Sequence, residues 1–324
     1  MILRTEFISR PSNSLINLKN PLLLSGSCFS ENIGKELSAY KFQTLINPFG
    51  TLYNPHSIFQ NISKSVQGNH RLDEAGIIYN QGAYRHIAFH SSVSHPDKNR
   101  LFEMAGESMA RTKTFLSDQS WLILTFGSAI VYIYKKTGDI SANCHKLPAE
   151  NFYRKFMTVD EIAEGFDRFH KVLSRYNPGL KILLTVSPVR HLREGFEDNQ
   201  ISKSILRLAC KSIMESHTDI FYFPSYEIMM DDLRDYRFYD RDMVHPNALG
   251  IEYLWNKFKE TFIDTETKEF MKEWHKILTA IRHRPFHTDT DEYRLFLQNT
   301  LEKLRSFKEK VNVDDEIKKF EERL

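Results

Sequence analysis

Asp242 and His245 stand three residues apart in the run Asp242-Met243-Val244-His245-Pro246-Asn247. That spacing lets a carboxylate reach the imidazole that follows it, fix its tautomer and stabilise its cation. A base oriented in this way needs a nucleophile, and donors for the oxyanion that develops. Far earlier in the chain, Leu22-Leu23-Leu24-Ser25-Gly26-Ser27-Cys28-Phe29-Ser30 offers a thiol and hydroxyls beside a glycine. The apolar run reads as a buried strand and Gly26-Ser27 as a sharp turn. Ile33, Leu37 and Tyr40 then follow at helical spacing. A side chain at such a helix start meets N–H groups with no intrahelical partner, and the positive helix end favours its anion. Each piece alone also has a plain structural reading: a small buried thiol, and a helix cap with a surface histidine.

The elements that must bring these residues together alternate along the chain. Strands are expected at about 22–26, 42–46, 121–126, 180–186 and 220–223. Between them lie helical patterns that run up to Tyr40, then over 56–66, 99–116, 158–176 and 199–216; a last core helix spans about 248–262. Thr158-Val159-Asp160-Glu161 has capping-box form. Ser202 and Lys203 read as residues that open a helix and cap it. Residues 68–97 read as a polar surface insertion, and 130–134 as a second extended piece after the central strand. Strand–helix alternation at this spacing argues for βαβ units and a mostly parallel five-stranded sheet. Ligands in such sheets bind beyond the carboxyl ends of the strands. The loops at 26–30, 47–55, 127–146 and 187–191 all follow strands directly. From Asp264 onward glycine disappears and charged helical patterns dominate. This divides the chain into a domain over 1–263 and a helical appendage over 264–324, read as helices packed on the core.

The bulk numbers exclude several classes. The chain has 324 residues, 41% of them apolar, and a formal net charge of +2. That is enough apolar content for a real core, and too even a charge balance for nucleic-acid binding. The N-terminus lacks a signal-peptide pattern, and no apolar run approaches the roughly 20 residues of a membrane span. Three widely spaced cysteines, Cys28, Cys144 and Cys210, form no disulfide framework and fit a reducing cytoplasm. Cys28, Cys144 and His145 are a conceivable zinc set. Their spacing is not that of a finger or ribbon, so neither metal nor cofactor is expected.

Taken together, Gly26-Ser27-Cys28-Phe29-Ser30 and Asp242-Met243-Val244-His245-Pro246 resemble the SGNH (GDSL-type) hydrolase superfamily. More narrowly, the chain resembles the GSCFA family over about residues 20–262, with Ser30 where the family name has Ala. The stretches Asn47-Pro48-Phe49-Gly50-Thr51-Leu52-Tyr53-Asn54-Pro55, Asn143-Cys144-His145-Lys146 and Ser187-Pro188-Val189-Arg190-His191 are similar to that family's motifs. The resemblance implies a three-layer α/β/α flavodoxin-like fold that hydrolyses or transfers acyl esters without a metal. In the superfamily's Gly-Asp-Ser block, Cys28 matches the nucleophile and Ser27 the residue before it. Cys28 is the expected nucleophile and Ser27 the competing one, with His245 the base and Asp242 its orienting partner. Gly50, with Asn47 before it, matches the block that serves the oxyanion. The superfamily's third block, Gly-x-Asn-Asp, is absent in register after Gly127, and Asn143 or His145 is the candidate replacement. Arg190 and His191 are candidates for an anionic substrate group. The expected partner is a small-molecule or carbohydrate acyl ester. A non-catalytic binder on the same scaffold, and an acyltransferase, are the alternatives.

Overall fold

The computed structural model describes residues 5–116 and 120–324. The first four residues of the N-terminal pattern lie outside them. The core sheet is built from β1 (Leu22–Gly26), β2 (Thr44–Ile46), β5 (Trp121–Phe126), β9 (Lys181–Val186) and β10 (Ile220–Tyr222). Every pairing in it is parallel, and the order is β10-β9-β5-β1-β2. Counting only these five strands along the chain, that is 2-1-3-4-5, the flavodoxin-like doubly wound order.

Side-chain alternation along the strands explains the layers. Leu22, Leu24, Trp121, Ile123 and Leu183 join one buried cluster. Their immediate neighbours Leu23, Leu122, Leu124, Ile182 and Leu184 join another. The second cluster is covered by α2 (Pro55–Val66), α3 (Lys98–Phe115), α4 (Val159–Tyr176) and α5 (Phe196–Ser216). The first is covered by α1 (Cys28–Ala39) and α7 (Ala248–Phe262); the three-residue turn α6 (Ser225–Glu227) follows β10, and its Tyr226 packs against the second cluster.

The C-terminal helices α8 (Thr265–Arg282), α9 (Asp291–Ser306) and α10 (Asp314–Glu321) pack onto that same face. Trp274, Leu297, Leu301, Leu304 and Phe320 are buried in the cluster that holds Leu22 and Phe29. Trp274 Nε1 donates to the Ala39 carbonyl at 2.8 Å, and Lys41 pairs with Glu316 at 2.7 Å. The segment beyond Asp264 therefore shares a core with the sheet.

Small antiparallel pieces decorate the domain. Residues 68–97 hold a hairpin of β3 (Ile77–Asn80) and β4 (Ala83–His86), joined by the tight Gln81-Gly82 turn. β6 (Ile130–Tyr134) pairs with β7 (Ile140–Ser141) and β8 (Phe152–Phe156) in a separate sheet. The capping box at Thr158 and Glu161 forms. α5 starts three residues before the expected Asn199. Ser202 and Lys203 thus lie inside the helix and do not cap it, because Gly195 with its positive φ turns the chain into the helix earlier.

Candidate active site

Cys28 is the first residue of α1, and Ser27 is its N-cap. The turn that presents them depends on glycine. Gly26 has φ +148°, and a Cβ there would lie 2.1 Å from the Thr125 carbonyl oxygen on the neighbouring strand. Close backbone approach of this kind is open only to glycine. The Gly26 N–H donates to Asn47 Oδ1 at 2.9 Å, and the Gly26 carbonyl accepts from Leu52 at 3.0 Å. The loop after β2 is thereby tied to the loop after β1.

The two candidate nucleophiles sit in different environments. The Ser27 side chain is fully buried. Its hydroxyl donates to Ser187 Oγ at 2.8 Å and accepts from the Phe29 N–H at 3.3 Å. Cys28 is partly exposed, and the Tyr53 hydroxyl lies within hydrogen-bonding reach of its sulfur. Burial pushes the Cys28 thiol up from its ordinary value; the Tyr53 hydroxyl and the residue's own N–H oppose this. Burial, with the sulfur second, raises the Tyr53 phenol to about 12, so it stays a donor across the working range.

Asp242 and His245 form the pair that their spacing predicts. Asp242 Oδ2 lies 2.6 Å from His245 Nδ1, and Oδ1 accepts from the N–H groups of Val244 at 2.9 Å and His245 at 3.0 Å. Those bonds, led by the one from the His245 backbone, hold the Asp242 carboxyl at about 2. An ionised carboxylate on Nδ1 keeps the proton there and leaves Nε2 as the basic nitrogen. Asn247 then caps α7, and its amide holds the Arg237 and Tyr239 carbonyls.

The loop after β9 joins the two ends. Its Ser187 accepts the Ser27 hydroxyl. Three residues on, the Arg190 N–H donates to the Val244 carbonyl at 3.1 Å, and its guanidinium donates to the Met243 carbonyl at 3.0 Å. The thiol and the imidazole therefore sit on one rim, at the carboxyl ends of the strands. Arg190 is held among the rings of Phe196, Tyr236 and Tyr239 and serves to fasten the His245 loop.

His191 turns the other way. Its ring meets the Tyr53 ring edge-on at 5.2 Å, and its Nε2 is buried without a partner. Burial first, then the charges of Lys203 and His245, lower it to about 3, so it is a neutral imidazole at physiological pH. Neutrality removes it as a counter-charge for an anion. It lines a cavity of about 410 Å³ together with Tyr53, Asn54, Ser128, Tyr132, Asn143, Cys144, Lys146, Arg193 and Glu194.

The other expected oxyanion groups are mostly engaged. The Gly50 N–H closes its own turn onto the Asn47 carbonyl at 2.8 Å, which leaves it no proton for an oxyanion. The N–H groups of Gly127 and Ser128 both go to the Tyr53 carbonyl. His145 uses both ring nitrogens, on the His86 carbonyl at 3.0 Å and Ser91 Oγ at 2.9 Å; burial lowers it to about 4. Asn143 Oδ1 accepts from the His145 N–H and the Ser91 hydroxyl, while the residue itself borders the cavity. Asn47 Oδ1 is taken by Gly26, but its Nδ2 is buried without a partner. The Cys28 N–H sits in the first helical turn, where no intrahelical acceptor reaches it.

Two residues stand out that spacing alone did not mark. Tyr53 touches both Cys28 and His191. Lys203, 1% exposed, donates to the carbonyls of Gly127 and Ser187, each at 2.8 Å, and so clamps the loops after β5 and β9 together. Burial lowers it to about 7. The neutral amine has two N–H groups, one for each carbonyl, so deprotonation leaves both bonds possible. A lysine inside a helix that otherwise buries Leu206, Ala209 and Ile213 was the available signal.

The GSCFA family model matches residues 21–258, and the chain belongs to that family. The family's C-terminal domain model matches residues 274–324. No curated protein matches the chain. Among solved structures it is similar to one described as "a putative platelet activating factor from Streptococcus pneumonia". That match has 12% identity and a TM-score of 0.38, and covers 76% of this chain and 85% of the other.

Proposed function

We infer that this chain is a thiol-dependent acyl-ester hydrolase of SGNH type, with Cys28 as nucleophile, His245 as base and Asp242 as the group that orients His245. The observation that carries this reading is the asymmetry at the first block. The Ser27 hydroxyl is buried and bonded on both sides, while the neighbouring thiol is partly exposed beside a helix N–H with no intrahelical acceptor.

In the reaction, the Cys28 sulfur attacks the ester carbonyl while its proton passes to His245 Nε2. Because burial raises the thiol, the proton leaves during attack and not beforehand. The oxyanion takes the Cys28 N–H, and Tyr53 holds the sulfur in line. Collapse breaks the C–O bond, and the alcohol leaves with the proton from His245. Water, deprotonated by His245, then splits the thioester and returns the free thiol. The cavity beside Tyr53 and His191 receives the substrate. An O-acylated carbohydrate suits it by analogy with the superfamily alone.

Intact mass after incubation with a mixed panel of acyl donors tests the reading. The expected result is a single acyl adduct on wild type, retained by Ser27→Ala and lost in Cys28→Ala. In His245→Ala the adduct should form slowly and persist, because acylation and deacylation need the same base. An absence of both adduct and turnover with every donor would instead favour a non-catalytic binder. The engaged Gly50 N–H and the raised thiol are what support that second reading.

A further inference from the structure

We propose that the opposite end of the molecule carries a divalent transition-metal site, with Zn²⁺ the ion its donors suit best, formed by His170, His217 and Asp219. One donor atom from each lies within 4.8 Å of the others. His170 is on α4. His217 is the residue that ends α5, and Asp219 precedes β10, at the amino ends of the strands and away from the thiol.

The two imidazoles are packed as a pair. Their centroids lie 4.3 Å apart, and both rings contact Phe166 beneath them, at 5.9 Å and 5.5 Å. His170 Nε2 faces Asp219 Oδ2 at 3.0 Å, and His217 Nε2 faces Asp167 Oδ1 at 2.8 Å. Each imidazole thus has a carboxylate at one nitrogen. On the far side of the His170 ring, Ser174 Oγ lies 3.4 Å from Nδ1 and fixes which nitrogen turns toward Asp219. An orienting partner of this sort is what ligating histidines require.

Two side chains of the set come from one helix at i and i+3, Asp167 and His170. The other two come from His217-Thr218-Asp219, where α5 meets β10. A divalent ion takes the place of the hydrogen between each imidazole nitrogen and its carboxylate, with each imidazole binding through one ring nitrogen in its neutral form. Two nitrogens and a carboxylate oxygen, with Asp167 alongside, match the ligand types and charge that Zn²⁺ accepts. The rings are mostly buried and the carboxylates half-exposed, which leaves an entry path from solvent. Neither histidine belongs to the proposed acyl chemistry, so the site would fasten α4 to the α5–β10 turn.

The test is Zn²⁺ competition between the full-length protein and a chromophoric chelator. Wild type should withdraw one equivalent. The double variant His170→Ala/His217→Ala should bind at least about tenfold more weakly, and Asp219→Asn should weaken in the same direction. Cobalt loaded in place of zinc should show ligand-field bands with no thiolate charge-transfer band, which separates this site from Cys28 and Cys144. The thermal midpoint should rise with zinc in wild type and stay still in the double variant, with circular dichroism confirming that both are folded. Equal affinity in wild type and double variant, a thiolate band, or no zinc uptake by wild type would each overturn the proposal. Ester turnover plays no part in the readout, so failure of the acyl reading leaves this test intact.

Discussion

The two ends of the candidate site are built on opposite principles. The turn that carries the nucleophile is buried and tied on every side: Gly26 lies against Thr125, the Ser27 hydroxyl is locked to Ser187, and Ser30 Oγ donates to Thr125 Oγ1 at 2.7 Å. The base end is exposed. His245 and Asp242 have side chains 43% and 51% accessible, and their loop is held by its own turn and by Arg190. A buried turn fixes a sulfur to within the tolerance of the strand that carries it. An exposed loop fixes only the tautomer of its histidine and leaves the ring free to approach a substrate. Substitutions at the first end should therefore disturb folding, and those at the second should disturb chemistry alone.

The sharpest break of that contrast is His245→Ala. Turnover of any accepted ester should fall by about 10²–10⁴, the usual share of a general base, with the urea midpoint unchanged. A shift in the midpoint comparable to that of a core substitution would show that the loop is structural.

Lys203→Met probes the clamp between the two ends. The folded-state value of Lys203, about 7, lies below the ordinary 10.5, so between those pH values the unfolded chain binds the extra proton. Stability attributable to Lys203 must rise with pH across that window, by at most roughly 1.4 kcal/mol per unit. Urea denaturation from pH 7 to 10 should show wild type gaining on Lys203→Met. A constant difference between the two would show that the buried amine does not titrate there.

Alkylation by iodoacetamide sharpens the nucleophile end. With its thiol raised above the ordinary 9.0, Cys28 should show a labelling rate that still climbs beyond pH 9. A plateau below that pH would mean that the helix N–H and Tyr53 outweigh burial. Ser27→Ala carries the smallest effect. It removes an N-cap and should cost about 1 kcal/mol of stability while keeping the thiol reactive.

The core of this fold was legible because burial imposes a pattern. Leu22, Leu23 and Leu24 must be apolar in succession since both faces of a parallel strand are covered, and the same holds for Trp121, Leu122, Ile123 and Leu124 and for Ile182, Leu183 and Leu184. Asp242 and His245 were legible because their contact is local. Tyr53 and Ser187 were not: their partners lie 25 and 160 residues away in the chain, and no spacing rule reaches that far. The β8 strand, Phe152–Phe156, carries no alternating pattern, because only its end residues Phe152 and Phe156 pack while Tyr153, Arg154 and Lys155 between them are exposed. Gly50 is expected as an oxyanion donor by register with a known motif, and His145 as a replacement for an Asn absent in register. Register does not report whether a proton is already given away, and both have given theirs to neighbours in the loops.

The sequence by itself determined the strand–helix alternation, the turn at Gly26, the thiol at a helix start and the carboxylate–imidazole pair. Each follows from periodicity or from contacts within a few residues. Only the tertiary structure decided that Ser27 is locked while Cys28 is open, that His191 is neutral, and that a buried lysine binds two loops. Those outcomes depend on which distant groups crowd a side chain out of water, and desolvation is a property of the packed molecule.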